Sequence, residues 1–342
     1  VHPLVRCVRA KREEAEKTRQ ALVKASALDG GFVPGRDEKF VYFPLKLGGK
    51  TKFATVQKKL LKREEFGKPL SLELEGKLTK READALIGGF DIVGDIAVLE
   101  IPGELEGKEK LIASAVLKIH HNLKVVAKKT GGTAGEFRIR PVKVIAGAKR
   151  TSTIYREGGC RFELDLNKTY FSPRLGTERG RLCSLVKPGE KVLVPFAGVG
   201  PFAIRMGCAQ KGAKVVGIEL NPDAAKYFEE NIARNKCGNV ECVKGDVGKL
   251  LPGKYAGWAD RAAMPLPKDA SGFLANVIPC MKKRGILHYY SFGDSKNPFE
   301  AAEGQVKEAA LETGRRGEIV FKRVVRPYSK SVVQVVVDAR IW

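Results

Sequence analysis

KVLVPFAGVGPFAIRMGCAQKGAKVVGIELNP, residues Lys191–Pro222, reads as a strand, a glycine turn, a helix and a second strand closed by an acidic residue. Val192–Val194 is a short apolar run of the buried-strand type. Gly198 and Gly200 follow, and Pro201 stands at the first helical position, where a missing N–H costs nothing. Val215–Ile218 is a second buried strand, and Glu219 ends it 19 residues after Gly200. Nucleotide-type cofactors bind such units: glycines let the backbone approach the ligand, and a carboxylate about 20 residues on takes ribose hydroxyls. The turn is FAGVGPF and lacks the third glycine of the dinucleotide fingerprint. A short G-x-G with an acid closing the next strand suits S-adenosylmethionine better than NAD.

Outward from this unit, the pattern alternates strand and helix from Asn167 onward, as a parallel sheet requires. Helices are expected at Asp223–Asn235, Ala270–Met281 and Gln305–Thr313. Strands are expected at Glu241–Val243, Arg261–Met264 and Gly285–Tyr290, and a final antiparallel pair at Glu318–Val325 and Val332–Asp338. Residues 70–165 read as an α+β domain, with a strand pair or bulged strand at Phe90–Ile101, a helix at Lys108–His120, and strands at Lys124–Ala127, Phe137–Ala146, Thr151–Tyr155 and Cys160–Asp165. Residues 1–65 form a small α/β unit: a strand at Val5–Val8, a charged helix at Lys11–Ser26, a turn at Asp29–Gly31, a strand at Phe40–Leu45 and a basic helix at Lys58–Phe66. Gly67-Lys68-Pro69 is a plausible linker.

The charge points to the partner. Sixty-two Lys and Arg face 39 Asp and Glu across 342 residues, a formal +23. The basic residues are spread over the chain, which suits a folded nucleic-acid face better than a compact membrane anchor. No run of 18 apolar residues exists, so no membrane span is expected, and Val1–Lys17 holds no signal-peptide h-region. Seven scattered cysteines and four histidines form no zinc pattern, so no metal is expected, and free thiols in a cytoplasmic protein are the simple reading.

The chain resembles the archaeal and eukaryotic tRNA (guanine-N1)-methyltransferases that act at tRNA position 37, in their archaeal three-domain form. The resemblance rests on FDIVGDIAVLEI (90–101), IHHNLKVVAKKTGGTAGEFRIR (119–140), TIYREGGCRFELDLNKTYFSPRLGTER (153–179), FAGVGPF (196–202), ELNPDA (219–224) and GILHYYSFG (285–293). It implies an α/β fold: a class I Rossmann-like methyltransferase domain over 166–342, an α+β RNA-binding middle domain over 70–165, and an N-terminal domain over 1–65 that reaches the tRNA elbow. It also implies S-adenosylmethionine as cofactor and tRNA as partner through its anticodon loop and elbow. A monomer is the default.

Guanine N1 carries a proton, so a base must remove it and a donor should stabilise the charge moving to O6. By the resemblance, Glu178 matches the base, Arg138 the O6 donor and Tyr170 an aromatic beside the cofactor and target base. Arg140, two residues along the same expected strand as Arg138, is the fallback donor. Phe196, Ala197, Gly198, Val199, Gly200, Glu219, Leu220, Asp246 and Val247 are expected at the cofactor. Arg174, Pro265, Leu266 and Pro267 are expected around the target base. Two family features are replaced: an acidic residue before FAGVGPF by Val194-Pro195, and the asparagine of Asn-Leu-Pro by Pro265. Bland readings stand beside these: an ion pair for Glu178, phosphate contact for Arg138, core for Tyr170, a turn cap for Asp246, and a core histidine for His288. A wyosine-pathway enzyme on the same nucleotide, or a catalytically weak tRNA-binding relative, are the alternative functions.

Overall fold

A computed structural model describes residues 3–49, 51–61, 70–132, 135–266 and 270–342. They fall into two units, Val1–Gly88 with Pro102–Asn122, and Gly89–Ile101 with Leu123–Trp342.

In the first unit, β1 (Leu4–Lys11), β2 (Gly35–Arg36), β3 (Phe40–Pro44) and β4 (Thr55–Lys59) form a sheet in the order β2-β3-β1-β4. Val8, Ala10, Phe43 and Leu45 pack with Leu22 of α1 (Ala15–Lys24). The helix expected from Lys58 does not begin there. Lys58 and Lys59 pair with Val5 and Leu4, so an exposed antiparallel edge captures them as strand. Residues 62–66 of that helix, and the expected linker 67–69, lie outside the described residues. α2 (Leu70–Glu73), α3 (Lys80–Ala85) and α4 (Glu109–Ile119) complete the unit, α3 opening on a Thr79–Glu82 capping box.

The second unit holds three sheets. In the first, β5 (Asp91–Val93), β6 (Ile96–Leu99), β7 (Val125–Lys129) and β8 (Val142–Gly147) lie in that order. The β5–β6 hairpin turns at Gly94, whose φ is +60°, and a Cβ there would meet Thr153 Oγ1 at 2.1 Å, so glycine is required twice over. β9 (Ser152–Glu157) and β10 (Cys160–Asp165) form a separate hairpin.

α5 (Gly176–Leu185) leads into the third sheet, of seven strands. These are β11 (Lys191–Pro195), β12 (Lys214–Glu219), β13 (Val240–Lys244), β14 (Ala259–Met264), β15 (Met281–Asp294), β16 (Gly317–Pro327) and β17 (Val332–Ile341), ordered β13-β12-β11-β14-β15-β17-β16. The first five are parallel, and the last two form the expected antiparallel edge hairpin. The interleaved helices are α6 (Pro201–Ala209), α7 (Pro222–Arg234), α8 (Val247–Leu250), α9 (Leu274–Val277) and α10 (Glu300–Glu312). Period-two alternation splits the core: Val192 and Val194 pack with Phe202 and Phe228, while Leu193 packs with Leu287 and Val306. The helix expected over Ala270–Met281 is instead broken into 3-10 turns around α9, and Met281 already opens β15. Pro279 withholds the N–H that a longer α-helix would need.

The cysteine reading is corrected at one pair. Cys208, in the last turn of α6, and Cys237, before β13, form a disulfide with Cα atoms 5.8 Å apart. Their sequence separation of 29 hid the proximity. Cys7, Cys160, Cys183, Cys242 and Cys280 are free.

Asn231 of α7 ties the third sheet's helices to the hairpin before them. Fully buried, it accepts from Glu163 N at 2.7 Å and donates to Glu163 O at 3.0 Å and Val199 O at 3.1 Å. Asn231→Leu strands these backbone groups without water. It is expected to lower unfolding free energy by about 2–4 kcal/mol in urea denaturation, since each orphaned buried polar group costs about 1–3 kcal/mol.

Candidate active site

Parallel strands leave a crevice at their carboxyl ends where the strand order reverses, here between β11 and β14. The turn from β11 to α6 occupies it. Phe196, Gly198 and Gly200 have φ of +60°, +58° and +85°. A Cβ on Gly200 would lie 2.1 Å from the Phe228 ring, so this glycine serves packing. A Cβ on Gly198 would meet only the Tyr170 carbonyl, at 3.8 Å, so the space over Gly198 is open for a ligand.

Glu219 ends β12 and folds back over this turn. Its Oε2 accepts from Gly198 N at 2.6 Å and its Oε1 from Asn221 N at 2.8 Å. Burial raises its pKa above the ordinary carboxylate range, against the pull of these N–H donors. Asn221 then caps α7, and its Nδ2 donates to Lys168 O at 2.8 Å. Asp246 follows β13 and caps α8 by accepting from Gly248 N at 2.8 Å, the turn-cap role weighed for it. Val247 is buried, and Leu220 is 38% exposed. Phe273, stacked edge-on against Phe196 at 5.0 Å, reaches toward Gly248. The open glycine turn, the acid at the end of β12 and these apolar walls fit a nucleoside cofactor. The position before the turn does not contribute: Val194 is fully buried in the core.

The Asn167–Arg174 loop is clamped from several sides. Asn167 exchanges hydrogen bonds with Val142 N and O, at 2.7 and 3.1 Å. Arg174 Nε donates to Asp91 at 2.6 Å, and buried Arg179 donates to Ser172 O at 3.2 Å. Tyr170 is thereby held at 37% exposure, lining a cleft with Asp91, Lys129, Arg140 and Phe171 rather than filling the core. Arg326, on β16, faces the same group. Its Nε donates to buried Gln334 at 2.8 Å. Burial lowers its pKa, and neighbouring Arg174 and Arg140 push the same way.

Arg138 does not lie on a strand. It closes a turn by donating its N–H to Gly135 O at 3.2 Å, with φ of +54°, and β8 begins only at Val142. The alternation that would put Arg138 and Arg140 on one face therefore fails, because positive φ breaks the pleat. Pro265 and Leu266 follow β14 half-buried, and Pro267 lies outside the described residues.

Glu178 sits in the first turn of α5 and is 1% exposed. Its Oε2 accepts from Arg181 Nε at 2.8 Å and from Tyr290 Oη at 3.1 Å. Its Oε1 has Arg323 Nη1 at 3.2 Å as an ion-pair partner, outside hydrogen-bond alignment. The surface ion pair weighed for it among Arg174, Arg179 and Arg181 is thus a buried one, and only Arg181 of those three takes part. His288 is a fully buried residue in the core of the sheet, as its apolar strand implied. Sequence reading missed Asn221, Phe273, Arg323, Arg326 and Asp338. Of these only Asn221 carried a local signal, an N-cap residue before Pro222.

Family models match in three blocks: a TRM5/TYW2 methyltransferase domain over residues 153–320, a TYW2 N-terminal domain over 70–151, and a tRNA methyltransferase 5 N-terminal domain over 7–48. The chain is 38% identical to the tRNA (guanine(37)-N(1))-methyltransferase Trm5b of Pyrococcus abyssi, over 96% of this chain and 97% of that one. The crystal structure of Trm5b from Pyrococcus abyssi superposes with a TM-score of 0.73 at 37% identity, covering 98% of this chain and 99% of the other. A structure of aTrm5 in complex with tRNALeu superposes at 0.70 with 28% identity, covering 99% of each chain.

The glycine turn yields a stability test. Gly200→Ala meets both a left-handed backbone and the Phe228 ring. It is expected to cost on the order of 2–4 kcal/mol, read as a lowered melting temperature in calorimetry.

Proposed function

Because the chain belongs to the TRM5/TYW2 methyltransferase family, we propose that it methylates N1 of guanosine 37 in tRNA, using S-adenosylmethionine. The observation that carries this reading is the meeting of the Tyr170 loop with the Gly198–Glu219 turn, through Asn221 to Lys168 and the Tyr170 carbonyl over Gly198. A cofactor cradle and an aromatic-bearing, arginine-flanked loop share one crevice. The +23 charge supports a polyanionic partner.

S-adenosylmethionine, when bound, supplies a methyl group on a sulfonium, an electrophile that needs only a nucleophilic nitrogen in line with it. Glu219 is the acceptor for the ribose hydroxyls and Asp246 for the adenine amine. Phe196, Ala197, Val199, Leu220 and Val247 give the apolar surround, and Gly198 and Gly200 keep the approach clear. The target base must leave the anticodon-loop stack, and Tyr170 with Pro265, Leu266 and Pro267 offers it a surface. Arg174, Arg140 and Arg326 present crowded positive charge to the flanking phosphates. Glu178 takes the N1 proton on Oε1, because Oε2 is already filled by Arg181 and Tyr290. Arg138 donates to O6 as its negative charge grows. The N-terminal domain over 1–65 reaches the elbow, the middle domain over 70–165 helps hold the RNA, and the chain acts as a cytoplasmic monomer. Among the described residues no helix is long and apolar enough to cross a membrane.

A second reading, a wyosine-pathway activity on the same nucleotide, is favoured by the TYW2-type match over 70–151. The deciding assay incubates unmodified tRNA transcripts with the cofactor and identifies the modified nucleoside by mass spectrometry. Formation of 1-methylguanosine supports the first reading. An aminocarboxypropyl product, or methylation only of a wyosine intermediate, supports the second. Binding of both tRNA and cofactor with no transfer leaves a degenerate binder.

Glu219→Ala is expected to weaken S-adenosylmethionine binding roughly tenfold or more, as loss of a charged hydrogen-bond acceptor usually does, with tRNA affinity near wild type by titration. Glu178→Gln keeps size but loses basicity. It is expected to slow single-turnover transfer on the order of 100-fold, with both affinities near wild type; a normal rate would rule out the assigned base.

A further inference from the structure

A chain of buried charges runs from Glu178 into the protein. Arg181 donates Nε to Glu178, and its Nη1 and Nη2 reach Asp338 Oδ2 and Oδ1 at 2.6 and 3.2 Å. Asp338, on β17, is the direct cross-strand partner of His288, on β15, and its Oδ1 lies 2.6 Å from His288 Nδ1. The other ring nitrogen, Nε2, lies 2.7 Å from Arg261 Nη1. Arg261 is anchored in turn by Glu190, at 2.9 Å from both Nε and Nη2, and by Leu185 O.

The tautomer follows from these contacts. A guanidinium only donates, so His288 Nε2 accepts and its proton sits on Nδ1, facing Asp338. Burial lowers the pKa of His288 and keeps the ring neutral. Burial alone would raise the pKa of Asp338, but His288 and Arg181 hold it below the ordinary range. Asp338 is thus a fixed anion, and Arg181 is a cation shared between two carboxylates. Burial, with the Glu178 charge beside it, raises the pKa of Tyr290, so its phenol remains a donor to Glu178. The groups facing Glu178 are therefore Arg181 from its own helix, Tyr290 from β15 and Arg323 from β16, with Asp338 of β17 behind Arg181.

We propose that Arg181, Asp338 and His288 are positioning residues that aim the Glu178 carboxylate. This rests on the reading of Glu178 as the base. Asp338 draws Arg181 toward itself and fixes the fork whose Nε meets Glu178. Arg181 and Tyr290 occupy Oε2, while Oε1 faces Arg323 at 3.2 Å outside hydrogen-bond alignment, so Oε1 is the oxygen with capacity left to accept a proton. His288 Nδ1 stands 2.6 Å from Asp338 Oδ1, close though outside hydrogen-bond alignment, and limits where that carboxylate can sit.

The test is single-turnover transfer on tRNA transcript, with melting temperature and both affinities measured for each variant. Arg181→Gln and Asp338→Asn should each lower the rate roughly tenfold through looser aim, with cofactor and tRNA affinities near wild type. His288→Gln offers an acceptor to Arg261 and a donor toward Asp338, and should recover most of the rate that His288→Leu loses. If Arg181→Gln fails to fold, Arg181→Lys keeps the charge without the fork, and the same loss of rate is expected. Combining Arg181→Gln with Glu178→Gln should slow transfer no further than Glu178→Gln alone, because Arg181 acts only through that carboxylate. That non-additivity supports the proposal, because a merely structural role would lower melting temperature and slow Glu178→Gln further. Wild-type rates in Arg181→Gln and Asp338→Asn, or full additivity, beside an inactive Glu178→Gln would overturn it alone. A fully active Glu178→Gln would instead overturn the base assignment, and the proposal with it.

Discussion

The carboxylate of Glu219 is the joint on which the crevice depends. It closes β12, receives the N–H of Gly198 from the turn after β11, and receives the N–H of Asn221 at the start of α7. Hydrogen bonds to a charged acceptor contribute about 1.5–3 kcal/mol each, which offsets part of the cost of burying the acid. The glycine turn, the strand end and the helix start are thereby fixed as one body. Asn221 extends it to the loop after β10 through Lys168. A loop from outside the seven-stranded sheet is brought against the cofactor turn by two side chains two positions apart in sequence.

Buried charge is the second organising principle of this unit. Glu157 takes Arg179 and Arg205 together, and Arg179 passes on to the Ser172 carbonyl in the Tyr170 loop. Glu190, Arg261, His288, Asp338, Arg181 and Glu178 form a second line. Desolvating so many charges is weak as a source of stability, since the Coulombic gain roughly repays the lost hydration. What such lines supply is geometry, because each guanidinium fork accepts few alternative placements of its partners. Both lines end on α5 and the loop before it, the segment that carries Tyr170, Arg174 and Glu178.

Much of this was legible in the chain. The parallel strands, the glycine turn and Glu219 follow from local pattern, because buried strands and tight turns are written in consecutive residues. What was not legible is what depends on pairing between distant segments. His288 looked like a core histidine and is one, but its partner Asp338 is set by antiparallel register between β15 and β17. Cys208 and Cys237 meet because α6 and the loop before β13 pack side by side. Lys58 and Lys59 joined a strand because a neighbouring edge was open to them. Arg138 was misread for a different reason: a positive φ in a non-glycine residue leaves no mark in hydrophobic alternation.

The two replaced family positions bear on how this site must work. Val194 points into the core, so its apolar side chain is satisfied where it stands and offers nothing to a cofactor. Pro265 has neither a side-chain donor nor an N–H, at the mouth of the crevice. Around Tyr170, Arg140, Arg174 and Arg326 stand with Asp91, and burial with the neighbouring arginines disfavours the Arg326 charge. An excess of positive charge of this kind attracts polyanions, in keeping with the formal +23 of the chain.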